Sequence, residues 1–404
     1  MKYIILLGDG MADEQLAGLG GKTPLQFAST PNMDFVASYG EIGVAGTVPA
    51  GFPPGSDVAN LSVMGYDPRL YYTGRSPLEA VSMGVELDSD DVAFRCNLVT
   101  LSDEERYEDK TMVDYSADEI TTAESGKIIE EVKARLESAQ LKFYPGFGFR
   151  HLLVWKGGPP DGELTPPHDI SGRVIGPYLP KGQIGEILLN LMRESAGFLP
   201  GHQVNAARTG KGLRPANAIW FWGMGKRPRM PKFYDRYRLN GSIISAVDLI
   251  KGIGICAGFN VVEVEGVTGT VNTNADGKVQ AALDELGKGR DLVYLHVEAP
   301  DAASHRGELD TKIKAIEMVD RMLGRLLHEL DIYDSYKIMV LPDHPTPLAT
   351  MTHASSPVPF AIYSKGQNKK TNRTYDELTA SKGLVIKAGH ELMDYFVLGK
   401  TGGF

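Results

Sequence analysis

The sequence predicts an α/β protein in which a mostly parallel sheet carries helices on both faces, plus an inserted smaller α+β domain. Continuous apolar runs such as KYIILLGDG and YKIMVLPDH stop at glycine, proline or acidic residues, which is typical of strands buried on both faces. Helical patterns separate these runs, as they do in folds built from parallel strands. Between residues 95 and 245 the pattern changes to short strand-like pieces mixed with amphipathic helices, which indicates the inserted domain.

The larger domain starts with the strand KYIILLGDG. The stretch TPNMDFVASYG then predicts a helix, with Thr30 as its cap, Pro31 in its first turn and Gly40 at its end. A strand at EIGVAGTVP follows, and after it a short helix that begins close to Ser56. Late in the chain DLVYLHVEAPD, YKIMVLPDH and VPFAIYSKG predict further strands. A helix separates the first two, because apolar residues recur at intervals of three and four from Ile316 onwards.

The inserted domain is predicted from five strand-like pieces and two helical patterns. The strand-like pieces are FRCNLVTL, MVDYS, LKFYPG, RHLLVWKG and NAIWFWGMG. The amphipathic stretches SGKIIEEVKARLESA and KGQIGEILLNLMRE predict the helices. We therefore expect residues 95–245 to form an α+β domain inserted into a larger domain made of residues 1–94 and 246–404.

The composition is that of an ordinary globular protein, with 42% apolar and 23% charged residues and a formal net charge of −9. This negative charge argues against a nucleic-acid partner, because phosphate contacts need clustered lysine and arginine. No apolar run approaches the roughly 20 residues that cross a bilayer, so we expect no membrane partner. Cys96 and Cys256 are the only cysteines and fit a reducing compartment, which predicts a cytoplasmic protein.

Potential metal ligands follow three of the predicted buried strands. They are Asp9 after KYIILLG, Asp301 and His305 after LVYLHVEAP, and Asp343 and His344 after KIMVLP. The carboxyl ends of parallel strands open onto one edge of a sheet, which is where such folds bind ligands. We therefore expect these side chains to converge although they lie far apart in the sequence.

The spacing within these groups also suits metal binding. Asp301 and His305 lie four residues apart, which puts both side chains on one side of a helical turn. Asp343 and His344 are adjacent, so in an extended segment they would point in opposite directions and serve two different ions. His353 would complete the first of those ions. Carboxylates mixed with imidazoles suit Mn²⁺ or Zn²⁺ better than the all-oxygen sites of Ca²⁺.

Each of these residues taken alone has a simpler interpretation. Asp9 suits a turn after a strand, and Asp301 suits the cap of the helix that follows it. His344 and His353 suit loop histidines that are satisfied by hydrogen bonds. The metal site is favoured because all of these groups fall at the same predicted edge of one sheet.

Ser56 in FPPGSDVANLSVMGYDP is a candidate nucleophile. It follows a Pro-Pro-Gly turn and starts a helix, where backbone N–H groups and the helix dipole favour phosphate oxygens. A serine hydroxyl is a poor nucleophile unless a base or a metal removes its proton, and coordination to a metal would do so. The stretch is equally consistent with Ser56 as a simple N-cap, for which serine is a preferred residue.

Several of these motifs resemble a known group of enzymes. GDG at residues 8–10, GSD at 55–57, APDAASH at 299–305, PDH at 342–344 and THASSPVPF at 352–360 resemble the alkaline phosphatase superfamily. More closely, they resemble the cofactor-independent phosphoglycerate mutases of the archaeal type, to which GYDPRLYYTGRSPLEA, DVAFRCNLVT, TPPHDISGR and SAVDLIKGIG are also similar. The resemblance covers nearly the whole chain. It implies an alkaline-phosphatase-like fold, with a metal-binding phosphotransfer domain and an inserted substrate-binding domain.

The resemblance implies a metal-dependent phosphotransferase that interconverts 2- and 3-phosphoglycerate, small phosphorylated substrates of glycolysis, without 2,3-bisphosphoglycerate. Ser56 would attack the phosphate, become a phosphoserine and return the group to another hydroxyl of the retained product. Two divalent ions, Mn²⁺ or Zn²⁺, would be the cofactors. One ion would be bound by Asp301, His305 and His353, and the other by Asp9, Ser56, Asp343 and His344.

Further roles follow from the same resemblance. His168 in TPPHDISGR would move protons on the substrate hydroxyls as a general acid or base. Arg150, Asp169 and Arg173 would bind the substrate from the inserted domain. From the larger domain, Asp57 and Arg75 would bind the substrate, and Lys251 would be a catalytic residue. Arg75 and Lys251 would both neutralise phosphate charge.

Two departures from the family pattern keep other functions open. The insert reads MVDYSADEITT, with Asp114, Asp118 and Glu119 where these mutases tend to carry arginine, and Asn60 stands where many have histidine. A zwitterionic amino alcohol would tolerate these acids better than phosphoglycerate, which favours a homoserine-phosphorylating relative, as PDHPTP and IWFWGMGKRP also do. No GxxxxGK[ST] nucleotide loop is present to bind a donor for that reaction. A phosphatase of the same superfamily and a catalytically silent metal-binding scaffold are the remaining alternatives.

Overall fold

The computed structural model describes residues 1–400, which form two compact units. The larger unit contains residues 1–72 and 229–400, and the smaller unit contains residues 73–228. The strands of the described residues are β1 (Lys2–Gly8), β2 (Glu41–Ala45), β3 (Val92–Leu101), β4 (Met112–Asp114), β5 (Leu141–Tyr144), β6 (Arg150–Trp155), β7 (Ala218–Lys226), β8 (Gly241–Ile244), β9 (Asn260–Val261), β10 (Leu292–Val297), β11 (Tyr336–Leu341), β12 (Val358–Ser364) and β13 (Leu384–Ile386).

Helices join these strands in both units. They are α1 (Pro24–Phe27), α2 (Pro31–Tyr39), α3 (Ser56–Val63), α4 (Pro68–Tyr71), α5 (Ser76–Ser82), α6 (Thr122–Leu136), α7 (Gly185–Phe198), α8 (Gln203–Gly210), α9 (Phe233–Tyr237), α10 (Asp248–Ala257), α11 (Ala275–Gly287), α12 (Ala299–His305), α13 (Leu309–Glu329), α14 (Glu377–Ala380) and α15 (Glu391–Leu398). Among the helices described here, none combines the length and the apolar character that a bilayer crossing requires.

The larger unit is built on an eight-stranded sheet with the order β13-β2-β12-β11-β1-β10-β8-β9. Every neighbouring pair in this sheet is parallel except the two pairs that β12 makes with β11 and β2. The predicted fold class, a mostly parallel sheet with helices and an additional α+β region, is therefore confirmed.

Apolar strands form the centre of this sheet because neither of their faces reaches water. In β1, Leu6 lies opposite Leu295 of β10 and Val340 of β11, and all three side chains are fully buried. The helix α13 covers the sheet with an apolar stripe that includes Ile316 and Leu323, at the predicted helical spacing. Each fully buried side chain of this size stabilises the fold by roughly 1.5–3 kcal/mol relative to an exposed one.

The smaller unit contains an antiparallel sheet of five strands. Four of its strands have the order β4-β3-β6-β5, and the fifth strand, β7, also pairs with β3. The helices α6 and α7 pack on this sheet with their apolar faces. All five strand-like pieces and both helices that the sequence predicts for the inserted domain are present.

The junctions of the two units lie earlier in the chain than the predicted boundaries at residues 95 and 246. The helix α5 packs against β3 and β7, so residues 73–94 belong to the smaller unit. The strand β8 pairs with β10 of the large sheet, so the chain has already returned to the larger unit before residue 246. The sequence pattern located the strands but not these junctions, because the predicted boundaries were drawn where the pattern of strand-like pieces changes, whereas the first junction lies in the short polar segment 73–75 before α5.

Candidate active site

Three neighbouring strands bring the predicted ligands to one edge of the large sheet. β1 lies between β10 and β11, and Gly8 pairs with Val297 while Leu7 pairs with Leu341. Asp9 therefore emerges beside the ends of both neighbouring strands, and its backbone N–H donates a 2.9 Å hydrogen bond to the Val297 carbonyl. The predicted convergence at the carboxyl edge of the sheet is confirmed.

Asp301, His305 and His353 form the first group of potential ligands, which we call the outer triad. Asp301 and His305 both lie in α12, and their spacing of four residues places His305 Nε2 3.2 Å from Asp301 Oδ2. His353 Nε2 lies 2.9 Å from His305 Nε2 and 3.5 Å from Asp301 Oδ1. The imidazole and carboxylate atoms therefore lie close to a common centre, and the DxxxH spacing predicted the common side of Asp301 and His305.

Asp9, Asp301 and His344 form a second group, which we call the inner triad. All three side chains are buried, and His344 Nε2 lies 3.6 Å from Asp9 Oδ1. Ser56 Oγ lies 3.1 Å from the same His344 nitrogen. The candidate nucleophile and the inner triad thus share one location. Asp301 belongs to both triads, whereas the sequence assigned it to one ion only.

Ser56 occupies the first turn of α3, whose N-cap is Gly55. The structure therefore excludes the interpretation of Ser56 as a simple N-cap, because its hydroxyl contacts His344 and does not cap the helix. Two prolines and a glycine precede it, and Gly55 has an extended backbone. This turn directs the first residue of the helix towards the edge of the sheet that carries the triads.

Burial and neighbouring groups together shift the pKa values of the potential ligands at this edge. Burial, together with the nearby carboxylates of Asp343 and Asp301, raises the pKa of Asp9 well above its usual range. Burial alone would also raise the pKa of Asp301, but hydrogen bonds from His305 and His353 hold it well below its usual range. Burial lowers the pKa of His344, which favours the neutral imidazole that can act as a metal ligand.

The donor atoms fit a divalent cation. Asp9 Oδ1 is buried and has no hydrogen-bond partner within the described part of the chain. Such an atom costs free energy unless a ligand satisfies it. Three carboxylates, Asp9, Asp301 and Asp343, also come together where water cannot screen their repulsion, and a positive ion would offset it. Mixed carboxylate and imidazole donors suit Mn²⁺ and Zn²⁺.

Asp343 takes part in this arrangement differently from the prediction. Its Oδ1 accepts hydrogen bonds from the backbone N–H groups of Gly10 and His344, and its Oδ2 accepts one from Asn60 Nδ2. Asp343 Oδ2 also lies 3.4 Å from His344 Nε2, so the expectation that these neighbours point in opposite directions is wrong. The reason is that β11 ends at Leu341 and the chain bends at residues 343–344, where the alternation of a strand no longer applies.

Asn60 connects the nucleophile helix to the metal-ligand edge. Its amide nitrogen donates to both the Ser56 carbonyl and Asp343 Oδ2 at 2.8 Å, and its oxygen accepts a 2.6 Å hydrogen bond from the Tyr294 hydroxyl. The side chain is fully buried, so every polar atom of the amide needs such a partner. The sequence identified Asn60 only as a departure from the family pattern, whereas the structure shows a residue that orients Ser56 and Asp343.

Gly10 is required by the crowding at this edge. Its φ of +63° is a conformation that favours glycine, and a Cβ there would lie 2.7 Å from Asp301 Oδ1 and 2.9 Å from Asp301 Cα. We expect Gly10→Ala to displace Asp301 and to weaken the binding of Mn²⁺ at least about tenfold in a calorimetric titration.

Gly20 provides the matched control for this variant. It has a similar φ of +66°, but a Cβ there would meet no atom within 4 Å. Gly20→Ala should therefore cost only the backbone strain, about 1–2 kcal/mol of stability, and leave Mn²⁺ binding unchanged. Equal Mn²⁺ affinities for the two alanine variants would contradict the assignment of Asp301 as a ligand.

Asp57 and Lys251 are two further predicted site residues of the larger unit, and each pairs with a side chain outside the two triads. Asp57 Oδ2 accepts a 2.6 Å hydrogen bond from the Tyr72 hydroxyl, so this carboxylate braces the chain that follows α3. Lys251 lies on α10, and its Nζ is 2.8 Å from Glu263 Oε1. The predicted contact of these two side chains with substrate stays a prediction.

The smaller unit contains the other predicted residues. Arg75 was expected in the larger domain, but it precedes α5 and its Nε donates to Glu79, which places it in the smaller unit. Arg95, which the sequence did not single out, donates to the same Glu79 oxygen and lies over the Trp222 ring at 4.8 Å. The His168 ring lies 5.2 Å from the Trp222 ring. Arg75, Arg95 and His168 are therefore part of one polar cluster, and the signal for Arg95 was an arginine inside the apolar strand FRCNLVTL.

The remaining predicted residues of the smaller unit are exposed or half-exposed. Arg150 starts β6 and covers the Phe149 ring at 4.4 Å. Arg173 donates a 3.3 Å hydrogen bond to the Tyr178 hydroxyl. Asp169 follows His168, and its Oδ1 lies 3.6 Å from His168 Nε2. Their roles in substrate binding stay predictions.

The acidic residues that favoured an amino alcohol substrate are engaged locally. Arg214 Nη1 lies 2.8 Å from Asp114 and 3.2 Å from Asp118. Asp114 also accepts hydrogen bonds from Ser116. Because this arginine pairs with two of the three acids and offsets one of their charges, the segment MVDYSADEITT does not by itself exclude an anionic substrate.

The chain is similar to known proteins in family pattern, sequence and fold. A family model described as 2,3-bisphosphoglycerate-independent phosphoglycerate mutase matches residues 37–205, and a model described as type I phosphodiesterase / nucleotide pyrophosphatase matches residues 192–353. A probable 2,3-bisphosphoglycerate-independent phosphoglycerate mutase of Geobacter sulfurreducens is 53% identical, over 98% of this chain and 99% of the relative. The chain belongs to the 2,3-bisphosphoglycerate-independent phosphoglycerate mutase family.

Solved structures agree with this family assignment. A protein of Pyrococcus horikoshii has a TM-score of 0.83 and 30% identity, with 100% of this chain and 98% of that chain covered. A cofactor-independent phosphoglycerate mutase of Thermoplasma acidophilum has a TM-score of 0.64 and 25% identity, with 98% and 99% covered. The membership in the cofactor-independent phosphoglycerate mutases that the sequence motifs suggested is therefore confirmed.

Proposed function

We propose that this member of the phosphoglycerate mutase family interconverts 2- and 3-phosphoglycerate without 2,3-bisphosphoglycerate, through a phosphoserine at Ser56. The observation that carries the proposal is the position of Ser56 Oγ, 3.1 Å from His344 Nε2. The same nitrogen lies 3.6 Å from Asp9 Oδ1, a buried carboxylate atom that lacks a hydrogen-bond partner among the described residues. A nucleophilic hydroxyl at a site suited to divalent ions is what phosphoryl transfer requires.

The proposed reaction consists of two phosphoryl transfers. Ser56 Oγ loses its proton and forms a bond to phosphorus, while the bond between phosphorus and the substrate oxygen breaks and that oxygen takes up a proton. In the second transfer the other hydroxyl of the retained glycerate attacks the phosphoserine and restores the Ser56 hydroxyl. Divalent ions, when bound, supply Lewis-acid stabilisation of the phosphate charge and lower the pKa of the serine hydroxyl. No donor nucleotide or bisphosphoglycerate enters this balance.

The proposal includes two divalent ions per chain, Mn²⁺ or Zn²⁺. Asp301, His305 and His353 would hold one ion, and Asp9, Ser56, Asp343 and His344 would hold the other. Inductively coupled plasma mass spectrometry of protein loaded with Mn²⁺ and freed of excess metal should give about two ions per chain. A well-folded sample with one ion or none would contradict the two-metal site.

A cytoplasmic location remains a prediction.

A substrate comparison tests the proposed reaction. Purified protein with Mn²⁺ should convert 3-phosphoglycerate to 2-phosphoglycerate in an enolase-coupled assay from which 2,3-bisphosphoglycerate has been removed. Free phosphate should form far more slowly, because a phosphatase passes the phosphoryl group to water. Phosphorylation of homoserine by a phosphate donor, in the absence of mutase activity, would instead show that the protein is a homoserine-phosphorylating enzyme.

His168 is the predicted proton carrier for the substrate hydroxyls. Burial lowers its pKa, with Asp169 acting in the opposite direction, so the ring is neutral at pH 7 and able to accept a proton. We expect His168→Gln to reduce kcat by about 10²–10⁴-fold. His328→Gln, on the exposed face of α13, is the control and should leave kcat unchanged. Equal kcat values for the two variants would remove His168 from the mechanism.

A further inference from the structure

His296 is a fully buried histidine near the carboxyl end of β10, an interior strand of the large sheet. Its Nε2 lies 3.1 Å from Asp9 Oδ2, and its Nδ1 lies 3.2 Å from Ser245 Oγ. β10 lies between β1 and β8, so the ring spans from the residue that follows β1 to the residue that follows β8. His296 thus joins the inner triad to a neighbouring strand that carries none of the predicted ligands.

The hydrogen bonds around the ring determine which nitrogen carries the proton. Ser245 Oγ accepts a 3.0 Å hydrogen bond from the backbone N–H of Val247, so its own proton is available for His296 Nδ1. Nδ1 is then an acceptor, and the proton of the neutral ring lies on Nε2. As a metal ligand Asp9 is an ionised carboxylate, which can only accept hydrogen bonds, so Nε2–H donates to Asp9 Oδ2.

The two oxygens of Asp9 therefore differ. Oδ2 is held by His296, whereas Oδ1 has no hydrogen-bond partner in residues 1–400 and faces His344 Nε2 at 3.6 Å. The backbone of His296 is fixed as well, because the buried Lys278 Nζ donates a 2.8 Å hydrogen bond to its carbonyl. Because His296 holds Oδ2 of Asp9 in place, the position of Oδ1 is fixed as well.

We propose that His296 is a positioning residue that turns Asp9 so that only Oδ1 faces the divalent ion of the inner triad. Metal ligands in proteins are commonly oriented by such outer hydrogen bonds, and losing one typically weakens metal binding by about 10–100-fold. The inference rests on the proposed metal-dependent function. It concerns the ion that Asp9 would hold, because the hydrogen bonds of the His296 ring go to Asp9 and Ser245.

The test is a titration of metal-free, full-length protein with Mn²⁺ by isothermal calorimetry, with electron paramagnetic resonance to count the bound ions. Replacing His296 by leucine removes the donor, and we expect one of the two ions to bind about 10–100-fold more weakly. The other ion should keep its affinity within about threefold. His296→Gln, whose amide nitrogen replaces Nε2–H, should restore most of the lost affinity, whereas the shorter His296→Asn should not.

A structural control separates positioning from simple packing. Val293 is fully buried on the same strand, so Val293→Ala should lower the melting temperature without changing the affinity of either ion. If His296→Leu does not fold, the comparison of His296→Gln with His296→Asn decides the question. Equal affinities in wild type, His296→Gln and His296→Asn would overturn the positioning role, as would an equal weakening of both ions in His296→Leu. Wild-type protein that binds no ion would instead overturn the proposed metal-dependent function, and the positioning role with it.

Discussion

Replacing Ser56 by alanine is expected to reduce mutase activity by about 10⁴-fold or more while the protein stays folded. The serine oxygen is the atom that forms the bond to phosphorus, so no remaining side chain of α3 replaces it. The cost in stability should be small, about 1 kcal/mol, because the Ser56 hydroxyl makes a single hydrogen bond to His344 and is only half-buried. The enolase-coupled assay gives the activity, and circular dichroism with a thermal scan gives the fold.

Ser62 supplies the matched control for this variant in the same helix. Its hydroxyl is buried and has no hydrogen-bond partner within the described residues, so Ser62→Ala removes no interaction. We expect activity within about twofold of wild type and unchanged or slightly higher stability, since a buried unsatisfied hydroxyl is lost. A Ser56→Ala protein that keeps more than about a tenth of the wild-type activity would contradict the phosphoserine route.

Replacing Lys312 by methionine is expected to destabilise the larger unit by roughly 3–5 kcal/mol. Lys312 is fully buried, and its Nζ lies 2.7 Å from Asp13 Oδ2 and 2.9 Å from the Thr346 carbonyl. Removing one partner of a buried ion pair leaves the other charge without compensation. Asp13 and Thr346 belong to the two loops that follow β1 and β11, so both ligand-bearing loops lose a common anchor. Thermal unfolding should show a drop of about 10 °C or more in the melting temperature.

The neighbouring Lys314 is the control, because it lies on the same helix and is exposed. Lys314→Met should change the stability by less than about 0.5 kcal/mol. The double variant Asp13→Asn with Lys312→Met should be more stable than the sum of the two single effects predicts, by about 1–3 kcal/mol, because it leaves no isolated buried charge. Strictly additive effects would show that the ion pair does not contribute as a unit.

The edge of the sheet that carries the site was predictable because the carboxyl ends of parallel strands lie at the same edge. Apolar strands that end in Asp9, Asp301 and Asp343 meet at one edge in any parallel sheet, so convergence follows from the strand prediction alone. The spacing of Asp301 and His305 likewise fixed their common side, since four residues make about one helical turn. The orientation of His344 was not predictable in this way, because it depends on a bend after the strand that no local residue pattern encodes.

The residues that support the site were harder to find in the sequence. His296 and Lys312 each lie within an apolar pattern, where a single polar residue is the only signal of a buried partner. The partners, Asp9 and Asp13, are hundreds of positions away, and only the tertiary fold pairs them. Asn60 was noticed as a departure from the family, but its three hydrogen bonds depend on Tyr294 and Asp343 from two other segments.

In the proposed mechanism, Ser56 carries the phosphoryl group between the two hydroxyls of glycerate. Rapid chemical quenching of Mn²⁺-loaded protein mixed with 3-phosphoglycerate, followed by peptide mass spectrometry, tests it most directly. We predict a transient phosphoryl group on Ser56 that forms at least as fast as 2-phosphoglycerate appears, and no such group in Ser56→Ala. Formation of 2-phosphoglycerate at the full rate while Ser56 stays unmodified, or with the phosphoryl group on a different residue, would exclude the phosphoserine mechanism at Ser56.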